Sequence, residues 1–141
     1  MSVFVVDASV VVKWFVPEIH TESARRLLDR DDQYFAPDLL FAETANTIWK
    51  KIRRGEIDAA SGQKLVADMA HVSVETIPCR LLAEDAHALA NLAGRSVYDS
   101  LYLALAVRLR TRLISADEKL VKAVAAFPAL AEHIEFVAAA G

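Results

Sequence analysis

The sequence predicts an α/β fold, a mainly parallel sheet with helices on both faces. Short apolar runs alternate with amphipathic segments of helix length along the whole chain, the pattern of strands joined by helical crossovers. The first run, Val3-Phe4-Val5-Val6, is β-branched and aromatic with no polar break, as befits a strand covered on both faces. An apolar content of 55% exceeds the usual share of a soluble domain, which calls for buried parallel strands, an apolar contact surface, or both.

The elements follow in order. Residues 8–15 read as a short helix stopped by Pro17. Thr21 is placed to cap a helix over 21–28, with Ala24, Leu27 and Leu28 inward. An extended stretch around Tyr34 and Phe35 leads to Pro37, and Asp38 is expected to cap the helix that follows. That helix carries Phe41, Ala45, Ile48 and Ile52 on one stripe and ends at Gly55. Asp58 caps another, to about residue 71. Residues 72–77 form a strand bounded by Pro78, and 80–92 a helix ended by Gly94. Ser96-Val97-Tyr98-Asp99 has the form of a capping box opening a helix to about residue 109. That helix is apolar almost all round and should be central and buried. Residues 112–115 form a strand, Asp117 opens an amphipathic helix to about residue 126, and 134–137 form the last strand. The tail, 138–141, is expected to fray.

At 141 residues the chain is expected to be one domain, 1–141, with no repeat, linker or internal boundary. A net charge of -3 does not advertise a nucleic-acid binder, yet acids gathered round a metal are partly neutralised by it. The one cysteine, Cys79, excludes an internal disulfide, fits a reducing compartment and reads as a small filler. No apolar stretch approaches the roughly 20 residues of a membrane span, and the N-terminus has no basic leader, so a cytoplasmic location is expected.

Four acids stand where strands or helices begin or end: Asp7, Glu43, Asp99 and Asp117. In open parallel sheets ligands bind outside the carboxyl ends of the strands, and Asp7 and Asp117 each lie just after a strand. Asp99 heads the buried helix. Glu43 differs, since it lies opposite the Phe41, Ala45, Ile48 stripe, on a face with Asn46 and Lys50 that reads as solvated. Carboxylates brought together repel, by roughly 4 kcal/mol per pair at 4 Å in a surface-like dielectric, and a divalent cation is the usual reason to gather them. Oxygen ligands with no His or Cys point to magnesium or manganese, and so to metal-dependent phosphoryl transfer. Capping and the helix dipole account better than a metal for any single one of Asp7, Asp99 or Asp117; coincidence is a weaker account of the set, so by spacing alone both readings stand. His20, His71, His87 and His133 show no ligand spacing.

The ordered set of motifs resembles the PIN-domain ribonucleases, in particular the VapC toxins of toxin–antitoxin pairs. The matching residues are Val5-Val6-Asp7-Ala8-Ser9 with Val12-Lys13-Trp14-Phe15, then Glu43 with Asn46, Tyr98-Asp99 heading Leu101-Tyr102-Leu103-Ala104-Leu105-Ala106, and Ser115-Ala116-Asp117 with Leu120. The resemblance implies a three-layer α/β/α fold and magnesium or manganese held mainly by Asp7 and Asp99. Glu43 and Asp117 complete the cluster directly or through water, Asp117 being the more variable position, while Ser9 and Ser115 order the site. It further implies hydrolysis of RNA to a 5′-phosphate and a 3′-hydroxyl, a homodimer, and a cognate antitoxin whose C-terminal segment enters an apolar groove and occludes the acids. Trp14, Phe15, Phe41 and Trp49 supply aromatics for the core or for such a groove. Among Lys13, Lys50, Lys51, Arg53, Arg54, Arg108, Arg110 and Arg112, the better candidates for RNA contact are Lys50, which shares a face with Glu43, and Lys13, which follows Asp7 by less than two helical turns.

Other readings are weaker. A haloacid-dehalogenase-like phosphatase needs a second aspartate where Ser9 stands, a receiver domain needs paired early acids and a late lysine, and the scattered glycines form no phosphate loop. The rival from another class is a binding module of the same fold that contacts RNA or protein with little turnover. Four mutually repelling carboxylates argue against it, because a pure binder has no use for them.

Overall fold

The computed structural model describes residues 1–140. Its strands are β1 (Val3–Val6), β2 (Gln33–Pro37), β3 (Glu75–Ile77), β4 (Leu113–Ser115) and β5 (Ile134–Phe136). They form one sheet in the order β3-β2-β1-β4-β5, every pair parallel. The helices are α1 (Ala8–Phe15), α2 (Thr21–Arg26), α3 (Leu40–Arg53), α4 (Ala59–Met69), α5 (Ala83–Ala93), α6 (Val97–Arg108), α7 (Glu118–Ala125), α8 (Pro128–Ala131) and α9 (Val137–Ala140). Successive strand residues point to opposite faces, so full burial of Val5 and Val6, and of Leu113, Ile114 and Ser115, means that helices cover both sides. The expected three-layer α/β/α arrangement is therefore present.

The strand order sets the position of the site. From β1 the chain steps outward through β2 to β3, then returns through α5 and α6 to lay β4 against the other side of β1. The carboxyl ends of β1 and β4 thus flank the point where the winding reverses, the usual crevice for ligands in such sheets. Helix α6, buried from Ser100 through Ala106, packs against β1, β2 and β4. Because β4 follows it directly, α6 runs back along the sheet and its N-terminus returns to the carboxyl edge.

A second apolar cluster lies off the sheet, where Val12 of α1, Ile48 of α3 and Met69 of α4 are buried with Ile52, Leu65 and Val66 around them. Gly62 of α4 makes this packing close, since a Cβ there would collide with the Ile52 side chain. Gly94 ends α5 at φ 71°, the left-handed conformation expected of a C-terminal glycine.

Several local expectations are corrected. Thr21 is the first residue of α2 and not its cap; its hydroxyl accepts from the Glu18 amide (2.7 Å) and donates to the Val16 carbonyl (3.2 Å), bracing the α1–α2 loop. Asp38 does not cap α3. Its carboxylate accepts from the Cys79 amide (3.0 Å) and so ties the ends of β2 and β3 together, where the free Cys79 is part-buried. The buried stripe of α3 is Leu40, Thr44, Ile48 and Lys51, rotated from the one read in the sequence. Helix α8 was not expected. The tail is a helical turn through Ala140, whose carbonyl accepts from Arg30 (2.8 Å); Gly141 lies outside the described residues. Among the described residues no helix is long and apolar enough to cross a membrane.

Ile48 is fully buried between α1 and α4, away from the sheet edge. Ile48→Ala is expected to lower unfolding free energy by about 2–5 kcal/mol in a denaturant titration. A loss under about 1 kcal/mol would mean that this cluster contributes little to the fold.

Candidate active site

A cavity of about 340 Å³ opens at the carboxyl edge of the sheet, and Asp7, Glu43, Asp99 and Asp117 all line it. Ser9, Lys13, Asn46, Lys50 and Tyr102 share the wall. Four segments distant in sequence thus bring their acids to one opening.

Asp7 is the most enclosed of the four, 7% exposed at the end of β1. Its Oδ1 accepts from the Ser9 hydroxyl (2.5 Å) and from the Val10 amide (3.3 Å), so it also caps α1. Burial nevertheless pushes its pKa up to about 6 against these bonds, with the Glu43 charge adding to the rise. The Ser9 hydroxyl in turn accepts from the Ala116 amide (2.9 Å) and meets the Ser115 hydroxyl at 3.5 Å. Ser115 accepts from the Asp117 amide (3.1 Å). The two serines expected to order the site therefore clasp the ends of β1 and β4.

Asp117 caps α7 by accepting from the Leu120 amide (3.1 Å). Asp99 stands in the first turn of α6, where Ser96 caps by accepting the Asp99 amide (3.1 Å). Glu43 faces the cavity and not solvent. The buried Tyr102 hydroxyl donates to its Oε1 at 2.6 Å. Burial raises the Glu43 pKa, Tyr102 offsets part of this, and the Asp99 charge adds to it. The Tyr102 phenol is driven well above its usual range, first by burial and then by Glu43, and stays a donor.

Three charged residues that the sequence reading did not single out belong to this neighbourhood. Tyr102, named in the sequence as part of the α6 motif but not as a site residue, had a usable signal, since a phenol in an otherwise apolar buried helix must find a partner. Glu18 forms ion pairs with Lys51 (2.5 Å) and Lys13 (3.4 Å), and Glu56 approaches Lys51 at 3.9 Å. The two lysines draw the Glu18 carboxyl below its usual value even though burial acts the other way. Arg95 places Nη2 3.2 Å from Asp99 and 3.9 Å from Asp117; its one sequence signal is an i,i+4 relation to Asp99.

Of the basic candidates, Lys13 and Lys50 reach the cavity wall. Lys51 is buried on Glu18, Arg53 lies over the Trp49 ring, Arg108 donates to the Leu81 carbonyl and Arg112 pairs with Glu135. Trp14 is core, its indole N–H donating to the Ala24 carbonyl (2.8 Å), whereas Trp49 is half exposed.

Among the described residues, no three His, Cys, Asp or Glu side chains close tightly enough on one point to cage an ion unaided. The donor set still suits magnesium or manganese. It is all oxygen, and magnesium binds through one or two carboxylates while keeping waters and taking substrate phosphates. Asp7 in particular is a buried carboxylate whose partners are two hydroxyls and an amide, with no cation among the causes acting on it. A divalent ion at this wall would offset its desolvation and the repulsion from Glu43.

Comparison with known proteins agrees with this geometry. The PIN domain profile matches residues 4–126. Ribonuclease VapC3 of Pyrobaculum aerophilum is 32% identical over 128 residues, 89% of this chain and 95% of that protein. Among solved structures, PAE2754 of Pyrobaculum aerophilum aligns over 99% of this chain and 95% of its own, with a TM-score of 0.69 and 20% identity. A toxin–antitoxin complex from Klebsiella pneumoniae aligns over 82% and 88%, with a TM-score of 0.59 and 19% identity. The profile spans most of the chain and the relative spans nearly all of it, so the carboxylate-lined crevice at the reversal of a five-stranded parallel sheet is that of a VapC-like member of the PIN-domain family, to which this chain belongs.

Proposed function

We propose that this chain is a divalent-metal-dependent endoribonuclease acting as the toxin of a toxin–antitoxin pair. One observation carries the reading: four carboxylates from separate segments line one cavity at the switch point of the sheet. The ribonuclease relative supports the activity, and the toxin–antitoxin neighbour supports a protein partner. In this reading the chain is a single cytoplasmic domain that pairs with a second copy, as the sequence resemblance implies.

Asp7 and Asp99 would hold magnesium or manganese, with Asp117 completing the set and Glu43 reaching the ion only through water. When bound, the ion supplies charge for the phosphate oxygens and acidifies water at neutral pH. The remaining work falls to the chain. Ser9 and Ser115 fix the Asp7 carboxylate. Glu43, oriented by Tyr102 and made more basic by burial, accepts the proton of the attacking water. Lys50 at the wall, beside Asn46, contacts a flanking phosphate of the RNA, while Lys13, buried and paired with Glu18, adds only its charge to that wall. Attack by water on phosphorus with departure of the 3′-oxygen leaves a 5′-phosphate and a 3′-hydroxyl, with no need of the 2′-hydroxyl.

Purified protein, freed of any partner, is expected to cut total RNA into discrete 5′-phosphorylated fragments with magnesium or manganese. Chelator should abolish cleavage, and Asp99→Asn should lower it by at least about a hundredfold. Folded protein that cuts nothing under any metal would replace this reading with that of a binding module. Tyr102→Phe is expected to lower kcat by about tenfold with little change in KM, as loss of an orienting partner does; an unchanged kcat would remove Tyr102 from the mechanism.

The buried charge of Asp7 gives a test on stability. Its folded pKa is raised, so the ionised form destabilises the fold above about pH 6 and this cost disappears as pH falls below the unfolded value. In chelated protein at pH 7.5, Asp7→Asn is expected to stabilise by roughly 2–3 kcal/mol, while abolishing the rise in Tm that manganese gives the parent chain. A variant less stable than the parent would show that the carboxylate supports the metal-free fold.

A further inference from the structure

We propose that Arg95 is a built-in counter-cation for Asp99 and Asp117, and that a divalent ion must displace it to occupy the site. The inference rests on the metal-site reading above and adds a residue to it. Arg95 lies in the short link between α5 and α6, one residue before the Ser96 cap. A cation at a helix N-terminus opposes the helix dipole, so nothing in α6 itself favours an arginine there. What holds it is the pair of acids. A single nitrogen, Nη2, stands between Oδ2 of Asp99 at 3.2 Å and Oδ2 of Asp117 at 3.9 Å.

The fit is incomplete in a way that suits displacement. The guanidinium offers five N–H donors in a fixed fork that matches a carboxylate with two parallel bonds. Here it makes one hydrogen bond, to Asp99. Its Nε is buried and has no hydrogen-bond partner among the described residues, an arrangement that costs free energy to maintain. The contrast with Glu18 is direct, because that carboxylate engages Lys51 and Lys13 together. Arg95 thus relieves the repulsion between Asp99 and Asp117 without satisfying its own hydrogen-bonding groups. A divalent ion held by Asp99 and Asp117 would bring twice its charge with no orphaned donor, and would have to displace the guanidinium from them. The exchange keeps the acids together before the ion arrives and sets how tightly it binds.

Titration calorimetry with manganese on chelator-stripped protein tests this, beside Tm without metal. Arg95→Met is expected to bind manganese about tenfold more tightly than the parent and to melt lower without metal, because the two acids then lose their shared counter-charge. Arg95→Gln should do the same and guards against a folding failure of the first variant. Arg95→Lys, which keeps the charge, should restore parental affinity. A purely structural role for Arg95 would lower Tm and leave affinity unchanged or weakened, and that result overturns the proposal. If the parent binds no manganese, or Asp99→Asn binds it equally well, the metal-site reading itself fails. Binding that depends on Asp99 but ignores Arg95 refutes the present inference alone.

Discussion

Everything at the carboxyl edge depends on keeping the Asp7 carboxylate out of water at the end of the central strand. The position is unfavourable for a charge, since Val5 and Val6 precede it in full burial and α6 covers one flank. The chain compensates with short polar side chains. Ser9 donates to Asp7 while accepting the Ala116 amide, so one hydroxyl both solvates the acid and sutures β1 to the segment after β4. The separation of β1 and β4 ends, the direction of Asp7 and the placement of Asp117 follow from that hydroxyl and from Ser115 beside it. An apolar residue at either position would leave buried amides without acceptors, a penalty of about 1–3 kcal/mol each.

Around this centre the charges are arranged in two unlike groups. On the α1–α3 side, Lys13, Glu18 and Lys51 form a compact unit in which the acid serves two cations, anchoring the loop after Pro17. On the α6–α7 side, two acids share one poorly satisfied arginine. The first group is a structural brace, and the second is open to a change of partner. The chain's net charge of -3 conceals this division, because the local balance at the cavity is set by which lysines and arginines are already committed elsewhere.

The parallel sheet was legible because its strands are short apolar runs separated by helices. Asp7, Asp99 and Asp117 were legible for a related reason: each sits at a junction whose position the strand and helix signals define. Glu43 was placed at the site only by resemblance. Its helix α3 has Ile48 and Ile52 against α1 and α4, and Glu43 with Asn46 on a cavity that no apolar periodicity announces. A helix wedged between a packing cluster and a crevice has two working faces, and the hydrophobic stripe reports one of them. The same blindness hid the three unmarked charges and Tyr102. Asp38 and Thr21 were misassigned as caps because their side chains serve loop and strand ends brought near by tertiary structure, which short-range signals do not see.

The clasp between Ser9 and Ser115 spans 106 residues of chain. No fragment that stops before β4 can contain a complete crevice, however well its first strand and helices form. Contacts of such long sequence separation are made late, after the cost of closing the loop has been met. During synthesis, at roughly 5–20 residues per second, Asp7, Glu43 and Asp99 are all made before β4 exists, so the crevice stays open on one side until that strand is added.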